Sequence, residues 1–299
     1  MTKRLYCIIC FFAIVSCSRN SGETVVVECD ADRAVVIDLL SDPAFSKIDL
    51  KPAPMKFPDQ VVILDDGSFL LNTIDTLFRF DMSDGKLKMT YSRRGRAKNE
   101  FVKLWNYWVD RDSVSIFDFN SRKVLVFGMN DSIPARVIEG AGEGAPFEAA
   151  LRLDDSRWVG KRVGGMPDIP ELSLYDNDYK FISKVGDRVL RSGLGMGFPF
   201  SRNKEGVLFN MAYSNDIQQV SGEGCYVRYR IRFLDGMLEP DNYKDEYEVD
   251  QERMSRQKAG ETFSCLPGRI VDSDDFLTFM YSSFRNGKVH SAYAVYDKR

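Results

Sequence analysis

The chain has 299 residues, 44% of them hydrophobic and 28% charged, with 41 Lys and Arg against 44 Asp and Glu and a formal charge of −3. That length suits one large domain or two small ones, and the mildly acidic balance argues against a nucleic-acid partner. With a single histidine, His290, multi-histidine metal centres are excluded.

Lys3 and Arg4 precede an apolar run from Leu5 to Val15. The run is as long as a secretory h-region and well short of the roughly 20 residues that span a bilayer as a helix. Ile14, Val15, Ser16 and Cys17 resemble the bacterial lipobox, in which the cysteine thiol is acylated and cleavage falls just before it; an ordinary cleaved signal with an incidental Cys17 is the alternative. The expected organisation is a lipoprotein signal peptide over 1–16, a polar tether over 17–23 and a folded domain over 24–299. Several acyl chains, at roughly 0.8 kcal/mol per buried CH₂, hold a protein stably on a membrane. The expected location is the bacterial envelope outside the cytoplasm, anchored to the outer membrane on its periplasmic or its surface side. Cys7 and Cys10 leave with the signal, and the formal charge falls from −3 to −5 once Lys3 and Arg4 go too. Cys29, Cys225 and Cys265 remain, enough for one disulfide; Cys225 with Cys265 is the candidate pair, and buried free thiols are the alternative.

From Asp65 onward a pattern repeats. Acidic turns lead into short β-rich runs at "LDDGSFLL" (Asp65, Asp66), "DRDSVSIF" (Asp112), "LDDSRWVG" (Asp154, Asp155), "NKEGVLF" (Glu205) and "DSDDFLTF" (Asp274, Asp275). Each reads as a turn feeding a strand. A second strand of period-two alternation follows at "LFRFDMSDGK", "VLVFGMNDS", "LSLYDNDYK", "YRIRFLDGM" and "AYAVYDKR". "GAGEGAPF" from Gly140 and "GLGMGFPF" from Gly193 share a glycine-rich connector ending in Pro-Phe. The turns recur at about the 40 to 50 residues of one four-stranded propeller blade. A longer last step is filled by "EPDNYKDEYEVDQERMSRQ", expected as a helical insertion near 240–258 with Asp241 as a candidate N-cap after Pro240. The expected fold is therefore all-β: a β-propeller of four-stranded antiparallel blades, six-bladed in type with about five units visible. A Greek-key β-sandwich is the alternative, but it predicts no repeated connector.

"SRRGRAKNEF", Ser92 to Phe101, followed by "WVDRDSVSIFDFNSRKVLVFGMND", resembles the signature between blades of NHL-like six-bladed β-propellers. There a G-R-G-P-x-E-F connector precedes the first strands. Gly95, Arg96, Asn99, Glu100 and Phe101 fit, while Ala97 and Lys98 replace the usual glycine and proline. The resemblance implies a secreted lipoprotein of the kind found in Gram-negative bacteria; it specifies architecture and says little about activity. The chain ends at "YAVYDKR" in its fifth unit. Either N-terminal strands around "TVVVECD" and "FSKIDLK" close an irregular ring, or the chain is shorter than its relatives.

For chemistry, His290 reads as an ordinary blade residue. The paired aspartates recur at blade period, so Asx turns explain them better than acid–base pairs or calcium ligands. No glycine connector has the phosphate-loop pattern. What stands out is a basic run, Arg93, Arg94, Arg96, Lys98 and Lys103, adjoining Trp105, Tyr107 and Trp108. Guanidinium groups bind carboxylate and sulfate bidentately, and indole rings can stack on sugars. Arg93, Arg94, Arg96, Lys98, Trp105 and Trp108 are thus the candidate ligand-binding residues, with tryptophans packed between blades as the alternative. The expected function is a membrane-anchored, non-enzymatic binding module for a glycan, peptide or envelope protein, with no cofactor and no metal. A metal-dependent lactonase or lyase on the same fold and an inert subunit of an envelope assembly are the alternatives.

Overall fold

A computed structural model describes residues 5–9, 23–37, 48–50, 60–73, 75–162, 172–185, 200–210, 214–222, 224–239, 243 and 246–299. The lipobox with Cys17, the second glycine connector at Gly193 to Gly197 and the candidate N-cap Asp241 lie outside them. The chain divides into two compact units: Met1–Phe45, Gly164–Glu171 and Val185–Arg299 form one, and Ser46–Val163 with Leu172–Lys184 form the other.

The latter unit holds three antiparallel meanders. The first runs β4 (Val61–Ile63), β5 (Ser68–Thr73), β6 (Thr76–Asp81) and β7 (Leu87–Tyr91). The second runs β8 (Asn106–Asp110), β9 (Ser113–Asp118), β10 (Lys123–Gly128) and β11 (Pro134–Glu139). The third runs β12 (Phe147–Arg152), β13 (Trp158–Arg162), β14 (Leu172–Tyr175) and β15 (Phe181–Val185). Each acidic turn joins the first strand of a blade to its second, and turn chemistry explains why. Asp66 accepts the Ser68 N–H at 3.0 Å, and Asp154 accepts the Ser156 and Arg157 N–H groups, each at 2.9 Å. These are the Asx turns that short acidic side chains favour. Among the described residues Asp65 and Asp155 make no such bond; Asp155 pairs with Arg111 instead.

Alternation buries the inner faces. Leu70, Leu77 and Tyr91 of the first blade meet Tyr107, Ile116 and Phe127 of the second. Ile48 and Leu50, from the "FSKIDLK" stretch, form no strand and instead pack on Phe69, Leu71 and Phe80. Between the second and third blades lies an aromatic cluster. Phe117 stacks on Phe147 at 4.7 Å, and Trp108 packs on Trp158 and Tyr179. Aromatic pairs add about 0.5–1.5 kcal/mol each beyond the area they bury.

The other unit holds two five-stranded sheets. In one, β16 (Phe200–Asn203), β17 (Gly206–Asn210), β18 (Asp216–Ser221) and β19 (Gly224–Phe233) are joined by β2 (Val25–Cys29), parallel to β19. "TVVVECD" is therefore a fifth strand of the fourth blade. "YRIRFLDGM" belongs to β19, the fourth strand, so the counterpart of "LFRFD" in this unit is β18. Its polar sequence "DIQQVS" hid it. The last sheet comprises β20 (Phe263–Asp272), β21 (Phe276–Arg285) and β22 (Lys288–Asp297), with β1 (Leu5–Ile9) parallel to β22 and β3 (Val35–Ile37) antiparallel to β1. β1 lies inside the expected signal peptide. The helical insertion is present as α1 (Glu246–Lys258), whose Val249 packs on Phe263, Cys265 and Phe284.

The candidate disulfide is not formed. Cys29, Cys225 and Cys265 are in no disulfide among the described residues, and Cys29 and Cys265 are buried. Burial pushes the Cys225 thiol up to about 11 and Cys265 up to about 12, so neither is a thiolate near neutral pH.

Candidate functional site

In an antiparallel meander the turns joining strands one to two and three to four lie at one end of a blade. The two-to-three turn and the connector to the next blade lie at the other. The basic run belongs to the second end: residues 92–105 connect β7 to β8, beside the 119–122 turn between β9 and β10.

The connector is built on its own backbone. Phe101 N–H donates to Arg93 O at 2.9 Å and Gly95 N–H to Phe101 O at 3.0 Å, closing a loop whose tip is Arg96 to Asn99. Within the tip, Glu100 Oε2 accepts the Ala97 N–H at 3.0 Å. A Cβ on residue 95 would lie 1.8 Å from that oxygen, so any larger residue must turn the Glu100 side chain aside. Phe101 is fully buried in the core between the first two blades and anchors the loop from below. These contacts account for the Gly, Glu and Phe of the motif.

The adjoining turn holds the loop in register. Asp118, buried at the end of β9, accepts the Val102 N–H at 2.7 Å, the Ser121 hydroxyl at 2.6 Å and the Asn120 N–H at 3.1 Å. Lys123 Nζ donates to Ala97 O at 3.2 Å. Asp118, Phe119 and Lys123 escaped the sequence reading as site residues. Their signal is "DFNSRK", another acidic turn, read there only as part of a strand pattern.

The five cations of the connector differ in their partners. Arg94 pairs with Asp75 of the first blade at 2.8 Å. Arg93, Arg96, Lys98 and Lys103 make no ion pair among the described residues. Arg96, Lys98 and Lys103 are exposed, and the half-buried Arg93 has its Nε buried without a hydrogen-bond partner among the described residues.

The aromatic residues separate more sharply. Trp105 is 40% exposed, packs on Phe119 at 5.4 Å between ring centroids, and carries the Lys103 ammonium 4.8 Å from its ring centroid. Trp108 is 2% exposed and donates its indole N–H to the Tyr179 hydroxyl at 3.0 Å. It is a core residue, and a correction to the candidate set. Tyr107 is buried too, donating to Gln60 O at 3.0 Å. The structure thus brings Arg93, Arg96, Lys98, Lys103 and Trp105 into one connector and removes Trp108. Such a surface can hold an anion through several donors and pack a ring against indole.

His290 is a half-buried residue of β22 opposite Ser283, as expected of a blade strand. Among the described residues no group of three or more His, Cys, Asp or Glu is arranged to hold a metal ion.

Over residues 18–299 the sequence matches DUF5128, the 6-bladed beta-propeller family. The chain belongs to that family. Five blades of the propeller are seen among the described residues. Among solved structures, a candidate exported protein of Bacteroides fragilis NCTC 9343 is similar at 14% identity, with a TM-score of 0.68, covering 92% of this chain and 78% of that one. A member of the duf4221 family from Bacteroides vulgatus is 11% identical with a TM-score of 0.45, covering 81% of this chain and 80% of that one. A streptogramin B lyase is 10% identical with a TM-score of 0.45, covering 82% and 70%. At these identities the likeness concerns the propeller fold alone. No protein of curated function matches the sequence. Among the described residues, no helix of this propeller is long and apolar enough to cross a membrane.

Proposed function

We propose that this propeller is an extracytoplasmic lipoprotein, anchored through Cys17, that binds a glycan, peptide or partner protein without transforming it, and that the connector ahead of β8 is its binding surface. One observation carries the reading. Four of the five connector cations have no ionic partner among the described residues, yet their loop is held rigid by Asp118, Glu100 and Phe101. Rigid, unpaired donors bind anions at low entropic cost. The reading of a binder rather than an enzyme draws on the same place: Glu100, the carboxylate of the loop, is committed to the Ala97 N–H.

The test is a thermal melt of the protein against a panel of polysaccharides, peptides and divalent cations. A rise with one polyanion class, lost in Arg96→Ala/Lys98→Ala, supports the proposal; ligand at about 100 times its Kd stabilises by about 2.7 kcal/mol. A rise confined to divalent cations, or one unchanged in the double variant, overturns it. For the anchor, Cys17→Ser is expected to move the protein from the membrane fraction to the soluble fraction.

A further inference from the structure

We infer that the ligand of this connector is an acidic polysaccharide, with a sugar ring laid against Trp105 and its carboxylate or sulfate groups held by Lys103, Arg96 and Lys98. The inference rests on the binding role proposed above and names the ligand class.

Two features of Trp105 carry it. The ring is the exposed one of the three tryptophans, since Trp108 and Trp158 are buried, and an exposed indole supported from beneath by Phe119 is a platform for a flat, weakly polar surface. The Lys103 ammonium, however, already sits on that ring at 4.8 Å. A neutral sugar must displace this cation and forfeit its attraction to the ring quadrupole. A sugar bearing a carboxylate or sulfate keeps Lys103 as a partner and gains a charge-assisted hydrogen bond. The cation therefore selects for charge while the indole selects for a ring.

The spread of the other cations favours a polymer over a single anion. Arg96 and Lys98 are exposed on the loop tip, Arg93 lies three residues before, and Arg122 is exposed on the neighbouring turn. Lys123 is spent on Ala97 O, fixing the tip between Arg96 and Lys98. An acidic peptide satisfies the cations but leaves the indole unused, whereas a polysaccharide with an anionic group on successive rings engages both.

Binding to the protein in detergent is read by calorimetric titration, which does not depend on the indole that Trp105→Ala removes. Two matched pairs serve as probes, polygalacturonate against its methyl ester and dextran sulfate against dextran, with polyglutamate and phosphatidylglycerol vesicles as controls at physiological salt. The expected result is a preference of about tenfold or more for the acidic member of at least one pair. Lys103→Ala is expected to shrink that preference by weakening the acidic partner and strengthening the neutral one, which no longer has a cation to displace, and Trp105→Ala to weaken acidic and neutral sugars alike. Melting temperatures within a few degrees of the parent's confirm that these exposed substitutions leave the fold intact. Equal binding within both pairs, or polyglutamate or vesicles bound as tightly as the acidic sugar, overturns the ligand class while leaving the site standing. Binding unchanged by Arg96→Ala/Lys98→Ala overturns the site itself, and the ligand class with it.

Discussion

The two ends of the three-blade unit are built from the same residue types and arranged in opposite ways. At the end of the acidic turns, arginines are neutralised across blade boundaries. Arg79 of the first blade reaches Asp66 and the second blade's Met129 O and Asn130, at 2.9 and 2.8 Å for the last two. Asp110 of the second blade pairs with Arg152 of the third at 2.6 Å, Arg111 with Asp155, and Arg136 with Asp178. At the connector end, Arg96, Lys98 and Lys103 face solvent with no such partner among the described residues. Arginine used as a staple and arginine left unpaired look the same in a sequence. Only the distribution of the carboxylates tells them apart.

The comparison can be broken most forcefully through what both ends share. Trp108→Ala removes a buried indole from the core between the second and third blades and should cost about 3–5 kcal/mol. Denaturant unfolding checks this, with the variant expected to bind normally once folded because Trp108 is not at the surface. Arg79→Ala tests the turn end alone. It strips partners from Asp66, Ser68 and Met129 O, and a loss of about 2 kcal/mol in the same measurement is expected, with ligand affinity unchanged. Gly95→Ala tests the connector end alone. The new methyl must push Glu100 off the Ala97 N–H, so about 1 kcal/mol of stability and a severalfold loss of ligand affinity are expected together.

The smallest expected effect is in pH. Burial raises the Asp154 carboxyl, but hydrogen bonds from the Arg157 side chain and from the Ser156 backbone and hydroxyl outweigh it and hold the group at about 2, below its ordinary 3.8. Asp66 is likewise lowered, chiefly by the Ser68 hydroxyl and with help from Arg79. A carboxyl depressed in the folded state contributes its full stability above about pH 4 and loses it as the pH falls toward 2. The melting temperature should fall over that window, less steeply in Asp154→Asn.

The five acidic turns, the alternation of the strands and the late helix were legible in the sequence because each is encoded locally. An Asx turn needs a side chain two residues from its partner, and a pleated strand needs every second residue apolar. The fourth blade shows where local reading stops. β18, "DIQQVS", buries Gln219 as well as Ile217 and Val220, so its polar composition pointed to β19 instead. The connector motif was legible too, whereas the parts that Glu100 and Phe101 play in it came only with the structure.

Which tryptophan is a ligand platform was not legible. Trp105 and Trp108 are three residues apart, and their fates follow from Phe119 beneath one and from Trp158, Tyr179 and Phe147, supplied by the next blade, around the other. The same holds for the cysteines: Cys225 meets Gln218 in one sheet while Cys265 packs with Phe263 and Phe284 in another, and no bridge forms. By itself, then, the sequence determined the propeller family, the all-β repeat and the position of the basic connector, because turn chemistry and period-two burial act over a few residues. The tertiary structure decided which charges are neutralised and which rings are covered, because those outcomes depend on partners brought in from distant parts of the chain.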